Sequence, residues 1–372
     1  MPVAAGGLNL QTGTAAPERT NGSAATRAPS IDCELVGCSL RLEELEEDWR
    51  ELWSWLPDAT PFQSPDWLLP WWKHYGEGQL FSFALWDGAR LVGLAPLQIF
   101  RSAVDPTRRL FLLGTGNSDY LDVLFHPAWR GACGNALMAE IGKRSDCWDV
   151  CSFQRLRRGS PLLDDIVEHD AWRVEEGEQV PCVAIDLHHL GHGSVMLRRS
   201  QSYARKLQGV HPYSFEEASA ATLDDFSDAL ERLHQQRWRE EGCRGALSTA
   251  RDRSFHRMVA RQFLKAGMLM FYGIRMARRL IAVIYGFRVR DAVYSYLSGF
   301  DLEYARKSVG AITIGHAVQR AIESGHQVFD FLQGREKYKY TWGARDQACF
   351  VRGIVKESLL SIVRCNSTQL SS

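Results

Sequence analysis

Apolar residues recur every three or four positions over residues 41–56, which is the spacing of one face of an α-helix. Pro57 follows this stretch and predicts its end, because proline cannot continue a helix. A second helix is predicted to begin at Ser64-Pro65, since proline is favoured in the first turn of a helix. Leucine and tryptophan dominate the apolar face of both segments.

Short apolar runs bounded by turn residues predict strands in the rest of the first half. Asp87-Gly88 is a strong hairpin signal between two such runs. One helix is predicted among these strands, at 131–143, before the last of them. The predicted strands are 80–86, 91–100, 109–113, 120–125 and 148–153.

The second half repeats this order of elements, which is typical of a second α+β unit. Its helical spacings and apolar runs are as clear as those of the first half. The predicted helices are 222–241, 254–266 and 308–324, and the predicted strands are 268–276, 280–289, 292–298 and 328–332.

Residue identities also indicate a duplication. With an offset of 176 positions, Arg130 corresponds to Arg306, Gly134 to Gly310, and the pair at 120–121 to that at 296–297. We therefore predict two tandem copies of one α+β unit, with a chance coincidence as the alternative. The predicted organisation is a disordered leader at 1–30, an N-terminal unit at 31–190, a C-terminal unit at 191–355 and a tail at 356–372.

Composition excludes several classes of protein. The 372 residues include 44 Lys+Arg and 44 Asp+Glu, and a net charge of zero argues against a DNA-binding protein with a broad basic surface. No run of about 18 apolar residues occurs, so no transmembrane segment is expected. The nine cysteines form no C-x-x-C pair, so we expect free thiols, a cytoplasmic location and no metal site.

Several segments resemble a known superfamily. Residues 127–138 are similar to the pyrophosphate-binding turn of GNAT acetyltransferases. Other segments resemble the cellulose-biosynthesis-associated, Fem-like branch of that superfamily, namely 119–124, 233–238, 296–301, 329–334 and 338–343. The resemblance implies two tandem GNAT-like units with mixed central sheets flanked by helices. It also implies an acyltransferase whose co-substrate is acetyl-CoA or another acyl-CoA.

The predicted donor site is the start of the helix near residue 308. Arg306, Lys307, Ser308 and Gly310 lie there, where free N–H groups and the positive end of the helix dipole favour a pyrophosphate. Gly310 would let a phosphate approach the backbone. Lys307 and Ile312 depart from the family pattern at its first and last positions. An ordinary helix capped by Ser308 is therefore the alternative.

Two residues are predicted to act on the transferred group. Asp330 lies between Phe329 and Phe331, which point to the opposite face of a strand, so a partly desolvated carboxylate there could accept the proton of an amine. The resemblance implies that Lys339 stabilises the oxyanion formed during transfer. The alternatives are a structural aspartate and a solvated loop lysine.

Two sets of side chains are predicted to move protons or bind the acceptor. His234 and Trp238 are four residues apart and share a helix face, so His234 could relay a proton while Trp238 and Arg237 line a pocket. Tyr296 is a further candidate for proton transfer. A core-facing histidine and a half-buried strand tyrosine are the alternatives.

The polar segment 119–122 is also predicted to contact the acceptor. Asp119, Tyr120 and Asp122 carry groups that could bind hydroxyls or amines. The alternative is that these residues only close a connection between strands.

The predicted function is N-acyl transfer from acyl-CoA to an amine by direct attack in a ternary complex. The acceptor would be a small molecule or glycan precursor, such as an amino sugar or a cell-envelope or polysaccharide precursor. One alternative is a Fem-like aminoacyltransferase that uses charged tRNA, a partner that the neutral net charge disfavours. The other is a non-catalytic subunit of a polysaccharide-synthesis system.

Overall fold

The computed structural model describes residues 31–165, 172–190, 194–240, 242 and 245–356. The predicted leader at 1–30 and residues 357–372 of the predicted tail lie outside these ranges. The strands are β1 (Asp32–Val36), β2 (Gln79–Leu80), β3 (Ser82–Asp87), β4 (Arg90–Ala95), β5 (Leu97–Phe100), β6 (Arg109–Leu112), β7 (Leu124–Phe125), β8 (Val150–Arg157), β9 (Trp172–Asp186), β10 (Tyr213–Glu217), β11 (Leu269–Met276), β12 (Arg279–Val289), β13 (Ala292–Phe300), β14 (Val328–Gln333) and β15 (Arg345–Lys356). The helices are α1 (Ser39–Glu44), α2 (Glu46–Trp55), α3 (Pro65–Tyr75), α4 (Arg130–Lys143), α5 (Pro161–Asp164), α6 (Leu187–Leu190), α7 (Val195–Val210), α8 (Leu223–Glu240), α9 (Ala250–Lys265), α10 (Val309–Glu323) and α11 (Lys337–Thr341).

The strands form two sheets. The small sheet has the order β1-β3-β4-β7, and the large one has the order β10-β11-β12-β13-β14-β9-β15-β8-β6-β5-β2. Almost all neighbouring strands are antiparallel. The two parallel pairs are β6 with β8 and β13 with β14, one in each half of the chain. The second of these stops at Tyr294 and Asp330, although both strands continue beyond that point.

The two halves of the chain exchange strands. The end of β9 pairs with β14 in the second half, while its first part pairs only with β15. β15 is the last strand of the second half, yet it is inserted between β9 and β8 of the first half. The large sheet therefore runs through both halves without interruption, and the unit boundary at 190/191 stays a prediction.

Helices cover the faces of the large sheet because each has one apolar face. α8 packs on β12 and β13, and α10 packs on β12 and on α7. α9 packs against α3, which comes from the first half, so the two halves share a core. No helix in the described ranges is long and apolar enough to cross a membrane.

An aromatic cluster fills the contact between the halves. Phe62 and Trp67 from the first half surround Tyr296 and Phe287 from the second, with ring centroids 4.9–6.3 Å apart. Aromatic rings in such edge-on contacts stabilise a core beyond the area that they bury. This packing fixes the position of the first half against the point where the pairing of β13 with β14 stops.

Most predicted elements are present, and one is wrong in part. The strand predicted at 120–125 is regular only at Leu124–Phe125. Residues 120–123 leave the small sheet because this segment reaches towards the second half, where the Tyr120 hydroxyl donates a hydrogen bond to Asp330. The sequence analysis predicted none of the strands β1, β9, β10 and β15.

Candidate active site

Asp330 lies where β13 and β14 part. It is 5% exposed, and its neighbours Phe329 and Phe331 pack together on the other face of the strand, as the alternation predicted. Tyr120 donates its hydroxyl to Oδ2 of Asp330 at 2.7 Å, and the N–H of Leu332 donates to Oδ1 at 2.7 Å. Both carboxyl oxygens of Asp330 therefore have a donor from the protein itself.

Burial governs the ionisation of this carboxyl group. It raises the pKa of Asp330 to about 6, against the hydrogen bonds from Tyr120 and Leu332 and the charges of Arg157 and Lys339. Above that pH the carboxylate accepts the two hydrogen bonds as an anion, which strengthens both of them. Asp330 thus links the first half of the chain to the end of β14.

The backbone is strained beside this carboxylate. Leu332 has φ +61°, a left-handed conformation that is uncommon for a residue other than glycine. Arg155 of β8 has φ +62°, and its N–H donates to Oε1 of Gln179 at 2.8 Å. The two positions differ by one residue from the sequence offset of the repeat. Each half therefore bends the corresponding strand, and a side-chain oxygen accepts the N–H at the bend.

Lys339 is buried in α11 and is not a solvated loop lysine. Its Nζ donates to the carbonyl oxygens of Leu332, Gln333 and Gly334 at 3.3, 2.6 and 3.4 Å, and lies 3.0 Å from Oε2 of Glu336. An ammonium group has three N–H donors, so these acceptors engage all of them. Lys339 therefore holds the turn that follows β14, and its predicted contact with an oxyanion stays a prediction.

Asp119 lies three residues before Asp122, in the segment that carries Tyr120. Burial raises the pKa of Asp119 to about 7, and the charges of Arg155 and Lys339 oppose this effect. Its carboxylate forms no hydrogen bond with a described residue. Nη1 of Arg155 is buried and also lacks a partner in the described part of the chain. These groups can therefore bind or deprotonate a ligand without breaking a bond within the protein.

His234 and Trp238 share a face of α8, as predicted. Nε1 of Trp238 donates to Nε2 of His234 at 2.9 Å, so the imidazole is neutral with its proton on Nδ1. Burial and the nearby Arg237 lower the pKa of His234 to about 4. Arg237 lies over the Trp238 ring, with its Cζ 5.7 Å from the ring centroid. The structure therefore places these three residues in one cluster on α8, with the His234 and Trp238 rings against Gly245 and the His234 backbone against Gly299 of β13.

Replacing Gly299 by alanine should lower the free energy of unfolding by about 1–3 kcal/mol, the usual cost of overpacking. A Cβ at this position would lie 2.8 Å from Cβ of Leu233 and 3.0 Å from the backbone nitrogen of His234, so α8 would have to move away from β13. Gly131→Ala is the control, because a Cβ there meets no atom within 4 Å. Urea denaturation measures both, and equal stability of the two variants would contradict this packing.

Tyr296 lies in the aromatic cluster between the halves. Its hydroxyl donates to the carbonyl oxygen of Asn117 at 2.6 Å, and burial raises its pKa well above the ordinary value. The Asn117 side chain in turn accepts from Nε1 of Trp71 at 3.0 Å. These bonds hold the loop that leads to Asp119. Tyr296 therefore has a visible positioning role, and its predicted proton transfer stays a prediction.

The predicted donor residues lie together at the start of α10. Arg306 and Lys307 are exposed and form no ion pair with a described residue. Ser308 adopts φ +59° and does not cap the helix with its side chain. A Cβ at Gly310 would lie 3.1 Å from the Phe300 ring, so packing alone explains this glycine. The free N–H groups and two cations nevertheless fit a pyrophosphate at this end of α10.

A cavity of about 740 Å³ opens between residues 121–125 and 157–161 of the first half, and residues 346–348 of β15 also line it. Asp122, Arg157 and Arg158 are among its lining residues. Burial raises the pKa of Asp122 to about 7, opposed by a hydrogen bond from Ser160. The described residues include no group of three or more His, Cys, Asp or Glu side chains that could hold a metal ion.

The structure thus brings Asp119, Tyr120, Asp330 and Lys339 close together between the halves, although the Asp119 carboxylate forms no hydrogen bond with the other three. It places His234, Arg237 and Trp238 on α8, and Arg306 to Gly310 at the start of α10. The sequence analysis missed Arg155, Arg157 and Arg158. The repeat could have indicated them, because the same offset places residues 154–158 opposite 330–334.

Comparison with known proteins gives one family match, which lies in the second half. Residues 196–340 match the model of a family described as an acetyltransferase (GNAT) domain. A search of curated protein sequences found no match.

Solved structures match over most of the chain. One is a conserved protein of unknown function from Bacteroides thetaiotaomicron VPI-5482, with 10% identity over 87% of this chain and 99% of that chain and a TM-score of 0.57. A second is the C-terminal domain of a putative lysylphosphatidylglycerol synthetase from Agrobacterium fabrum, with 11% identity, coverage of 88% and 97%, and a TM-score of 0.54. A third is FemX, with 10% identity, coverage of 82% and 95%, and a TM-score of 0.58.

At these identities the likeness is one of fold. It confirms the predicted α+β architecture of GNAT-like units with mixed sheets flanked by helices, while the cellulose-associated branch stays a prediction. The chain therefore has a GNAT-like fold, and its residues 196–340 are similar to the acetyltransferase (GNAT) domain family.

Proposed function

We propose that the protein transfers an acyl group from acyl-CoA to a primary amine by direct attack. The observation that carries the proposal is the pair formed by Asp119 and Arg155. The charges of Arg155 and Asp330 both act on Asp119, so the three groups lie near one another. Asp119 and Arg155 also have polar atoms without a hydrogen-bond partner among the described residues. They are available to a substrate in a chain whose residues 196–340 are similar to the acetyltransferase (GNAT) domain family.

The donor would lie in the cleft between β13 and β14. Backbone groups beyond Tyr294 and Asp330 have no partner across this cleft, so they can bind an extended ligand. Arg306, Lys307 and the first N–H groups of α10 would hold its pyrophosphate. Acetyl-CoA or another acyl-CoA fits this arrangement of charges.

In the transfer step, the amine nitrogen attacks the thioester carbonyl carbon. The C–N bond forms, the C–S bond breaks, and coenzyme A leaves as a thiolate that takes a proton from solvent. The proton lost by the amine passes to the Asp119 carboxylate, whose pKa of about 7 suits a general base near neutral pH. The Arg155 guanidinium would stabilise the negative charge on the carbonyl oxygen.

Asp330 and Lys339 would act through other residues. Asp330 holds Tyr120, and Tyr120 follows Asp119 in the chain, so the hydrogen bond fixes the segment that carries the base. Lys339 fixes the turn after β14 through three carbonyl oxygens. His234, Arg237 and Trp238 would line the side of the cleft formed by α8. The acceptor would be an amino sugar or another precursor of an envelope polysaccharide.

One observation favours a second candidate, a Fem-like aminoacyltransferase that uses charged tRNA. Arg198, Arg199, Arg205 and Lys206 are all exposed on α7, and none forms an ion pair with a described residue. α7 packs on α10, the helix whose start is the proposed donor site. Unpaired cations of this kind bind a phosphate backbone.

Product analysis by mass spectrometry tests the proposal. The protein is incubated with acetyl-, succinyl- and palmitoyl-CoA, each with a panel of amino sugars and amino acids, and in parallel with aminoacylated tRNA. An acylated amine with release of free coenzyme A is the expected result. Product from charged tRNA alone would favour the second candidate. No product from any donor would favour the non-catalytic subunit of a polysaccharide-synthesis system.

A further inference from the structure

The cavity of the first half occupies the position that corresponds to the donor cleft of the second half. Residues 121–125 and 157–161 line it, and the repeat offset relates them to β13 and to the turn after β14. Its volume of about 740 Å³ is in the range of small-molecule sites. The two clefts differ in their charges, however, and this difference indicates what the cavity binds.

The start of α4 is unsuited to a pyrophosphate. Arg130 corresponds to Arg306, but its guanidinium donates to Asp165 at 2.9 Å, to Asp164 at 3.0 Å and to the carbonyl oxygen of Gly159 at 3.0 Å. Two carboxylates therefore neutralise the cation and would repel phosphates. The cavity does not bind a second acyl-CoA in the manner proposed for α10.

Two other arginines of the cavity remain available. Arg158 is exposed, and its guanidinium lies 5.5 Å from the ring centroid of Phe350 without an ion pair or hydrogen bond to a described residue. Arg157 lies 5.1 Å from the ring centroid of Tyr120 and donates one hydrogen bond, to the carbonyl oxygen of Asp58. A guanidinium has five N–H donors in a planar fork that matches a carboxylate or a phosphate.

Asp122 supplies the opposite charge in the same cavity. Its Oδ1 accepts hydrogen bonds from the Ser160 hydroxyl at 2.8 Å and from the N–H of Val123 at 2.9 Å. Its Oδ2 accepts none from the described part of the chain. This oxygen is therefore free to accept an N–H or O–H of a ligand that also carries an anion.

The cavity adjoins the proposed reaction site. Arg157 stacks on Tyr120, and the Tyr120 hydroxyl binds Asp330. Asp122 and Asp119 lie on one continuous segment, and three residues of extended chain span at most about 10 Å. A ligand of that length would reach from the cavity to Asp119.

We propose that this cavity binds the part of the acceptor that is not acylated, and that this part carries a carboxylate or a phosphate held by Arg157 and Arg158. The role as acceptor rests on the proposed function, whereas the binding of an anionic amine does not. The substrate class is therefore an amine with an anionic group within about 10 Å of the reacting nitrogen.

Ligand-observed NMR titration tests the proposal without an enzymatic assay. The probes are 6-aminohexanoate, 6-aminohexyl phosphate and hexylamine, which share a chain and an amine and differ in the anion. We expect at least one anionic probe to bind tenfold or more tightly than hexylamine. The preference between the two anionic probes distinguishes a carboxylate from a phosphate ligand.

Arg158→Gln should reduce the affinity for the preferred anionic probe about tenfold and leave that for hexylamine unchanged. Arg158 is exposed, so the variant should fold. Arg278→Gln is the matched control, an exposed arginine outside the cavity. Equal binding of all three probes, or an unchanged affinity in Arg158→Gln, would overturn the proposal. Selective binding without acyl transfer would leave the site standing and reject the proposed function instead.

Discussion

Replacing Asp119 by asparagine is expected to lower kcat at least about 100-fold, while KM for both substrates changes less than about threefold. General base catalysis contributes roughly 10²–10⁴ to a rate, and an amide keeps the shape of the side chain but cannot accept the proton. The Asp119 carboxylate forms no hydrogen bond with a described residue, so the loss should not come from a broken network. Steady-state kinetics with saturating donor measure it.

Asp330→Asn separates the role of Asp119 as a general base from the structural role of Asp330. An asparagine has one oxygen acceptor where Asp330 uses two, for Tyr120 and for Leu332. This variant should therefore lose stability, and it should lose activity to the extent that the segment carrying Asp119 moves. Near wild-type turnover in Asp119→Asn would remove Asp119 from the mechanism and leave Asp330, His234 and Tyr296 as the candidates for proton transfer.

The pKa of Asp119 gives this prediction a second readout. A base that titrates at about pH 7 makes the rate rise as pH increases through 7, and the variant should lack that rise. Stability should change in the opposite direction. The raised pKa means that the folded protein binds the proton more tightly than the unfolded chain, so stability is lost as pH rises from about 4 through 7. Asp119→Asn should therefore be more stable relative to wild type at pH 8 than at pH 5.

Lys339→Met should lower the free energy of unfolding by about 3 kcal/mol, because it removes a buried ammonium group that binds three carbonyl oxygens. Methionine fills the volume of the lysine stem but leaves the carbonyl oxygens of Leu332, Gln333 and Gly334 without their donor. An unsatisfied buried polar group costs about 1–3 kcal/mol. Urea denaturation followed by fluorescence of the tryptophans measures the change.

Lys337→Met is the matched control, because Lys337 lies two residues away in α11 and is exposed. It should leave stability within about 0.5 kcal/mol of wild type. If Lys339→Met kept full stability and lost only kcat, the oxyanion role implied by the family resemblance would be favoured over the positioning role.

The sequence predicted what local periodicity and turn chemistry determine. The helices α2, α3, α4, α8, α9 and α10, the Asp87-Gly88 hairpin and the position of Asp330 on the strand face opposite Phe329 and Phe331 all follow from spacing. It did not predict β9 or β15, because these strands carry charged and glycine residues and form only by pairing with distant partners. Lys339 was ambiguous for the same reason, since the carbonyl oxygens that bury it belong to a turn whose conformation the spacing does not specify.

The sequence predicted single residues of the candidate site but not which of them lie close together. Asp119, Asp330 and Lys339 were each recognised, but nothing local relates Asp119 to Arg155. Asp119 comes near Arg155 because residues 120–123 leave the small sheet. The apolar pattern had instead predicted that these residues form a strand.

The position of β15 also sets the order in which the protein can fold during synthesis. β15 completes the sheet between β8 and β9, yet roughly 200 residues separate it from the end of β8. At about 5–20 residues per second, a ribosome needs roughly 10–40 s to deliver it. Throughout that time β8 and β9 present open edges to other nascent chains. β9 carries Glu175, Glu176 and Glu178 within its first seven positions, and such charges discourage wrong pairing at an edge. These charges therefore allow β9 to remain unpaired until β15 has been synthesised.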